Sequence, residues 1–268
     1  MQHTPILCLT FDNLGAARSV FDGKTAVPDH AAPDIVAGIP NVLRSLRGLN
    51  LRATFFVEGW SALHYPDAIK AIVAEGHEIG LHGWIHEPFA ELNQLRATQY
   101  ITDGVAMLAA RGVVPKGFRA PGGKRGSYAE EILLASGFKY DSSVETGMSM
   151  DIPRDTSLYV GNGVGRLPSG LMNIPWEWFM IDAIHYLLSP DGIRDPFALA
   201  EYWGAILRNV AAKGGVLTVI FHAHVSGVAS DRLAAMERFL HAAIELGFRI
   251  LPAHEVASLA AKESQKGC

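Results

Sequence analysis

The feature of this 268-residue chain that most constrains its fold is a regular alternation of short apolar segments with amphipathic ones. Residues 6–11, 53–57 and 216–221 are almost entirely apolar, which is typical of strands that are buried on both faces of a sheet. Segments such as 35–46 and 196–213 lie between them and carry apolar residues at helical spacing. Because strands alternate with helices, the sequence predicts parallel βαβ units in an α/β fold.

The same pattern continues along most of the chain. We predict strands at 6–11, 53–57, 77–81, 117–120, 216–221 and 248–251, and helices at 35–46, 66–75, 94–111, 128–136, 196–213 and 233–246. About seven such units favour a barrel or a doubly wound sheet, and the length suits a single domain over residues 1–268. Residues 141–195 are rich in Gly, Pro, Ser and aromatic residues, so we expect long loops over one rim.

Composition and charge are those of a soluble globular protein. Apolar residues make up 49% and charged residues 19% of the chain, and the formal net charge is −4. An acidic chain is a poor partner for nucleic acid or an anionic membrane, and no apolar stretch reaches the ~18 residues that span a bilayer. The N-terminus lacks a basic leader and a cleavage site, so we expect a cytoplasmic location. Cys8 is expected to be buried and Cys268 to be an exposed thiol, with no disulfide framework.

Ionisable side chains gather where the predicted strands end. Asp12 and Asn13 follow the first strand, His82 follows the third, Arg119 lies in the fourth, and His222 and His224 follow the strand at 216–221. In parallel α/β folds the carboxyl ends of the strands form the active face. Four separate segments are therefore expected to bring ionisable groups to one rim.

Two histidines form the first candidate site. His82 and His86 are four residues apart in HGWIHE, a spacing that brings two imidazoles together on one helix face or in a tight loop. Two convergent imidazoles are a common zinc pair, which needs an oxygen ligand and an open position for catalysis. The alternative is a structural or surface role. Asp12 is either a cap or turn residue, or a general base or metal ligand.

Further candidates follow in two later segments. Arg119 lies in FRAPGG, where Pro121 and Gly122 shape a loop that lets the backbone approach a substrate; the arginine is either a surface residue or the partner of a carboxylate. His222 is either a satisfied rim residue or a general acid, because histidine titrates near neutrality. His224 is a second, weaker candidate for the same role.

The segment WEWFMID adds Trp176, Trp178 and Asp182. Aromatic residues in a loop usually pack against the core. Trp176 and Asp182 are also candidates for substrate binding in the wall of a pocket, with Asp182 orienting His222.

Six motifs occur in order along the chain: LTFDN, ATFFVEGW, GHEIGLHGWIHE, FRAPGG, IPWEW and VIFHAHVSG. This ordered set resembles that of the polysaccharide deacetylase (NodB-homology) superfamily, from Leu9 to about Gly227. GHEIGLHGWIHEPF and HAHVSG are most similar to its intracellular branch. That branch holds small-molecule amide, ureide and cyclic-imide hydrolases alongside deacetylases.

The resemblance implies both a fold and a set of roles. The implied fold is a distorted (β/α)7-type barrel. The implied roles are catalytic base for Asp12, which Arg119 holds, metal ligand for His82 and His86, general acid for His222, and wall or support of the site for Trp176 and Asp182.

The sequence departs from the family pattern at Asn13. The family motif has two consecutive aspartates, the first being the base and the second a metal ligand, but here the second is an asparagine. An amide oxygen ligates a divalent cation without contributing charge, so weaker metal binding is expected. Alternatively, Asp12 itself is the ligand, or the protein works without metal, as the allantoinases of this branch are thought to do. Those allantoinases carry a Glu-Glu-type first motif, which this chain lacks.

The sequence thus predicts a deacetylase-like, metal-dependent hydrolase of non-peptide C–N bonds, with Zn²⁺ held by His82, His86 and Asn13. Asp12 takes a proton from metal-activated water, a backbone N–H near residues 11–14 helps to stabilise the oxyanion, and His222 protonates the leaving nitrogen. The alternatives are a metal-independent ureide or cyclic-imide hydrolase and a catalytically silent ligand-binding barrel. The expected partner is a small-molecule amide or N-acetyl substrate, and a homodimer or homotetramer is compatible with this branch.

Overall fold

The predicted strands form one curled sheet at the centre of the protein. In the computed structural model, which describes residues 4–144, 151–157, 159, 161 and 163–266, this sheet contains nine strands. They are β1 (Ile6–Asp12), β2 (Thr54–Val57), β3 (Glu78–Leu81), β4 (Gly117–Phe118), β5 (Tyr140–Asp141), β6 (Gly165–Arg166), β7 (Met172–Asn173), β8 (Val216–His222) and β9 (Arg249–Leu251). The strand order is β6-β7-β5-β4-β3-β2-β1-β8, and β9 also pairs with β1. Only β6 and β7 pair antiparallel among these described strands.

Helices follow most of the strands and supply apolar side chains to the core. In the described residues they are α1 (Ala17–Phe21), α2 (Ile39–Gly48), α3 (Gly59–His64), α4 (Pro66–Ala74), α5 (Gln94–Ala109), α6 (Ala129–Ala135), α7 (Pro196–Lys213), α8 (Ser230–Glu245) and α9 (Ala253–Lys266). Short helical turns at Asp34–Gly38, Trp178–Met180, Ile184–Leu188 and Ala223–Gly227 shape the loops between them.

The alternating side chains of β1 show how the sheet divides the core. Leu7, Leu9 and Phe11 join the large apolar cluster that the helices complete. Cys8 joins a smaller cluster on the other side, which residues of α9 cover. Because successive side chains of a strand point to opposite faces, Cys8 and Asp12 share this inner face. The inner face is therefore apolar where α9 covers it and polar where β1 ends.

The two ends of the sheet come close enough to touch. Ile181, in the segment after β7, forms a single parallel bridge with Ile220 of β8. The sheet therefore curls into an incompletely closed barrel, which confirms the α/β fold of distorted (β/α)7 type. Within the described ranges, no helix is both long enough and apolar enough to cross a membrane.

The predicted strands and helices are confirmed, with bounds that shift by a few residues. The sequence pattern does not predict α1, α3, β5, β6 or β7, because such short elements give no recognisable periodicity. Nor was α9 predicted, which begins two residues after β9. Cys8 is buried as expected, whereas Cys268 and residues 145–150, 158, 160 and 162 of the predicted loop region lie outside the described residues.

Two glycine substitutions test the packing of the sheet. A Cβ added at Gly117 of β4 would lie 1.8 Å from the ring of the buried Tyr140, whereas a Cβ at Gly48, at the exposed end of α2, would meet nothing within 4 Å. We expect Gly117→Ala to lower the free energy of unfolding by about 1–3 kcal/mol through overpacking. Gly48→Ala should raise it by up to about 1 kcal/mol through helix propensity. Urea unfolding measures both, and equal effects of the two variants would contradict the described packing.

Candidate active site

A buried ion pair lies at the end of β1. Asp12 Oδ1 is 2.7 Å from Arg119 Nη1, and the two side chains are 8% and 1% exposed. Arg119 Nη1 also donates to Thr10 Oγ1 at 2.9 Å, and Nε and Nη2 donate to the backbone oxygen and Oγ of Ser142 at 3.0 and 2.8 Å. The guanidinium carbon lies 4.2 Å from the centre of the Phe56 ring. A buried charge needs such partners, so Arg119 is fixed and holds Asp12 in place.

A second buried carboxylate holds the histidine at the end of β8. His222 is the register partner of Asp12, and its Nδ1 lies 2.6 Å from Asp182 Oδ1. Asp182 Oδ2 accepts the backbone N–H of His222 at 2.9 Å and the hydroxyl of Ser226 at 2.6 Å. Burial lowers the pKa of His222, but the charge and hydrogen bond of Asp182, together with the charge of Asp12, outweigh burial and raise it. The carboxylate keeps the Nδ1 proton in place and leaves Nε2 for chemistry.

His82 follows β3 in the state that a metal ligand requires. Its Nδ1 lies 2.8 Å from the carbonyl oxygen of Arg119. A carbonyl only accepts, so Nδ1 carries the proton and Nε2 keeps its lone pair. Burial lowers the pKa of His82 to about 3, so the ring is neutral. Metal binding needs such a neutral imidazole.

His86 reaches the same place through a tight turn rather than a helix. The ring centres of His82 and His86 are 5.2 Å apart, close enough for both rings to approach one ion. His86 has a left-handed backbone with φ of 63°. Glu87 closes the turn by accepting the backbone N–H groups of Trp84 and Ile85 at 3.0 and 2.8 Å. The carboxyl after the second histidine therefore shapes the turn.

Three neutral donors at this end of the barrel fit a divalent cation. Asn13 Oδ1 is buried and has no hydrogen-bond partner, and Asn13 lines the same cavity as His82 and His86. An unpaired buried oxygen beside two neutral imidazoles is a donor set that a metal ion would satisfy. The set carries no negative charge. Across the described part of the chain, no cluster of three or more His, Cys, Asp or Glu residues is arranged for a metal ion.

Arg18 of α1 contacts one of these donors. Its Nη1 lies 3.3 Å from His86 Nδ1. When Nδ1 accepts this N–H, the ring proton is on Nε2, which then has no lone pair for a metal. Burial, His82 and Arg18 together lower the pKa of His86 to about 3. Arg18 is not predictable as a site residue from the sequence, because an arginine on a short helix gives no distinguishing pattern.

A cavity of about 450 Å³ lies over these groups. The predicted residues that line it are Asp12, Asn13, His82, His86, Arg119, Gly122, Trp176, His222 and His224. Two predicted substrate-binding residues do not belong to this lining. Asp182 is fully buried behind His222, and Pro121 packs beside the turn at Gly83. Asp182 contacts His222 from behind the lining, and substrate contact by Asp182 or Pro121 stays a prediction.

The backbone N–H groups that follow Asp12 are bound within the protein. The N–H of Asn13 donates to the carbonyl of Phe56 at 3.2 Å, and the N–H of Leu14 donates to Glu58 Oε2 at 3.2 Å. The expectation that a backbone N–H near residues 11–14 stabilises an oxyanion is therefore wrong for these two groups. These two N–H groups face β2 and the residue that follows it rather than the cavity.

Glu58, directly after β2, is a buried acid that the sequence analysis missed. It has no exposed surface, and its Oε2 lies 3.0 Å from Ser61 Oγ. Ser61 Oγ donates its one hydrogen to the carbonyl of Leu14 at 2.6 Å, so the hydrogen between Ser61 and Glu58 has to come from the acid. Burial raises the pKa of Glu58 to about 8, in agreement with a protonated carboxyl. Glu58 could have been identified from the sequence, because it directly follows a predicted strand, as the other candidate residues do.

The protonation of Glu58 predicts a pH-dependent stability. Because the folded-state pKa lies above the unfolded value, the stabilisation is complete below the unfolded pKa and is lost as pH rises through about 8. The stability of the wild type should therefore fall relative to Glu58→Gln between about pH 5 and about pH 9. Urea unfolding across this range measures the difference. Glu131→Gln, an exposed control on α6, should follow the wild type at every pH. If the free energies of unfolding of the wild type and Glu58→Gln change in parallel with pH, the protonated state of Glu58 is contradicted.

Comparisons with known proteins identify relatives along the chain. A model of the polysaccharide deacetylase family matches residues 3–140. The peptidoglycan deacetylase of Helicobacter pylori is 25% identical over 198 residues, which are 66% of this chain and 68% of that protein. The peptidoglycan deacetylase-like protein FGM2 of Gibberella zeae is 30% identical over 179 residues, 59% of this chain and 52% of that protein. The chain thus spans from about half to about two thirds of the length of these relatives.

Solved structures agree with this assignment. A Mycobacterium smegmatis protein assigned to the polysaccharide deacetylases superposes with a TM-score of 0.79 at 28% identity, over 98% of this chain and 92% of that one. Puue allantoinase superposes with a TM-score of 0.75 at 20% identity, over 94% of this chain and 89% of that one, which shows a shared fold. Because the family model covers just over half of the residues, the chain belongs to the polysaccharide deacetylase family, a family of carbon–nitrogen hydrolases.

Proposed function

We propose that this protein hydrolyses a non-peptide C–N bond of an amide, in the manner of a deacetylase. The observation that carries this proposal is the pairing of Asp12 and His222 on neighbouring strands. Both residues line the same cavity. Asp12 is held by the buried Arg119, and His222 is held by the buried Asp182. Amide hydrolysis needs a base for the water and an acid for the leaving nitrogen, and this pair supplies both.

The residues divide the proton transfers between them. Asp12, whose charge Arg119 compensates, accepts a proton from the attacking water. His222, with Nδ1 bound to Asp182, donates from Nε2 to the nitrogen of the leaving group. The raised pKa of His222 favours the protonated ring that this step needs.

A divalent metal, with zinc as the expected ion, would be held by His82, His86 and Asn13. When bound, such an ion polarises the amide carbonyl and makes the attacking water more acidic. The lone pair of His82 and the unpaired oxygen of Asn13 support this assignment. The neutral ligand set predicts weaker binding than an aspartate at position 13 would give.

A second candidate is a metal-independent ureide or cyclic-imide hydrolase on the same fold. The contact of Arg18 with His86 favours it, because a guanidinium adds positive charge beside the ligands and draws the ring proton to Nε2. The joint presence of Asp12, Arg119 and His222 in one site argues against a catalytically silent barrel.

The remaining expectations stay predictions. They are a small-molecule amide or N-acetyl substrate, no nucleic-acid or membrane partner, a homodimer or homotetramer, a cytoplasmic location and one domain over residues 1–268.

Metal affinity distinguishes the two hydrolase candidates. Asn13→Asp adds an anionic ligand and should raise zinc affinity by roughly tenfold or more, because ligand charge tunes affinity. His82→Ala/His86→Ala should abolish binding. Calorimetric titration with zinc gives the affinities, and elemental mass spectrometry gives the metal content of each purified protein. Asn50→Asp is the matched control, because Asn50 has a similar left-handed backbone with φ of 54°.

Two results would decide against the metal-dependent mechanism. One is full activity of the wild type in the presence of a chelator. The other is metal in Asn13→Asp but none in the wild type, which would make the metal-independent candidate the better one. Zinc affinities that are equal in all four proteins would remove the metal site itself.

The pH profile of hydrolysis tests the acid. His222→Ala should lower kcat by roughly 10²–10⁴-fold. In the wild type, activity should persist below the raised pKa of His222 and fall as pH rises through it. Asp182→Asn removes the charge that raises this pKa, so the alkaline limb should move to lower pH. Ser226→Ala keeps that charge and should not move the alkaline limb to lower pH. An alkaline limb at the wild-type pH in Asp182→Asn would exclude His222 as the acid.

A further inference from the structure

The cavity has two chemically different sides. Arg18 and Lys24, from α1 and the turn after it, line one side. Trp178, Ile184 and Leu187 belong to the apolar part of the lining. The catalytic groups Asp12 and His222 line the same cavity. A ligand that reacts there therefore meets cations and an apolar wall at once.

The cationic side carries more charge than its own partner can neutralise. Asp22 Oδ1 lies 2.9 Å from Arg18 Nε, and Asp22 Oδ2 lies 2.9 Å from Lys24 Nζ. In the described ranges, Asp22 is the one carboxylate at ion-pair distance from either cation. One carboxylate between two cations leaves a net charge of about +1, which favours an incoming anion.

The cations are accessible but held in place. The side chains of Arg18 and Lys24 are 53% and 70% exposed, so an anion reaches them without the cost of deep burial. Asp22 holds Nε of Arg18, and His86 Nδ1 lies 3.3 Å from its Nη1. Arg18 therefore lies beside His86 in the cavity that Asp12 and His222 also line, and a planar guanidinium suits recognition of a carboxylate.

The apolar wall is exposed in the same cavity. Leu187 and Leu188 are 52% and 68% exposed although both are large apolar residues. Trp178 and Ile184 also line the cavity but are almost fully buried, so Leu187 and Leu188 supply the apolar surface that is open to a ligand. A cavity of about 450 Å³ has the size of a small-molecule site.

We propose that the substrate is a small acyl amide that carries a carboxylate and an apolar side chain, such as an N-acyl amino acid. Arg18 binds the carboxylate and determines the specificity, Lys24 supports it, and the apolar wall receives the side chain. This inference rests on the proposed hydrolase function, since the acyl amide then lies between Asp12 and His222.

Binding of two matched probes tests this proposal. The probes are N-acetyl-L-phenylalanine and its neutral primary amide, which differ in charge and hardly in shape. We expect the wild type to bind the acid at least roughly tenfold more tightly, the scale of a charged hydrogen bond. In Arg18→Gln this ratio should fall toward one, and Arg18→Lys should restore part of it. Arg96→Gln, an exposed charge loss on α5, should keep the wild-type ratio.

Equilibrium binding separates this inference from the hydrolase proposal, because it needs no turnover. Calorimetry gives both affinities, and release of acetate is followed in parallel. A preference for the acid that Arg18→Gln abolishes supports recognition of a carboxylate by Arg18 even if no acetate appears, and in that case hydrolysis of an N-acyl amino acid fails alone. Equal affinity for acid and amide in the wild type, failure to bind either probe, or a preference that survives Arg18→Gln would overturn the inference.

Discussion

The buried pair of Arg119 and Asp12 is the interaction on which the rest of the site depends. A guanidinium inside a barrel has to find acceptors for its N–H groups, and Arg119 finds them on β1 and in the segment after β5. Removing one partner of such a pair typically costs about 3–5 kcal/mol, because the other charge is left buried and unpaired. The segments that supply these acceptors are therefore locked together. The carbonyl of Arg119 also binds His82, so the same residue orients the proposed base and a candidate metal ligand.

The barrel interior explains why chemistry collects at one end. Its lower part is filled with apolar side chains under α9, and its upper part exposes the strand ends. Neighbouring strands in register bring Asp12 and His222 side by side. The two carboxylates then differ by position: Asp12 lines the cavity, whereas Asp182 is buried and acts only through His222. The fold thus places the proposed base Asp12 next to the proposed acid His222, and only one of the two carboxylates lines the cavity.

The loop after Asp12 shows how a neutral site is built. Asn13 has φ of 66° and points an unpaired oxygen at the cavity edge. Its own N–H is bound to β2, and protonated Glu58 holds the next residue. Together with the neutral imidazoles of His82 and His86, this oxygen forms a set of candidate metal ligands without negative charge. Arg18 then adds positive charge beside His86, which opposes the binding of a metal ion there.

The sequence by itself determined the barrel and the reactive ends of its strands, because periodicity and strand-end position are local properties. Asp12, His82, Arg119 and His222 were predictable in this way, and all four line one cavity. The support of His222 by Asp182 was also predicted from the sequence, and the structure has the two side chains in contact. Only the tertiary structure decided the contacts of Glu58 with Leu14 across 44 residues and of Arg18 with His86 across 68. No local pattern encodes such contacts, because they join segments that are distant along the chain.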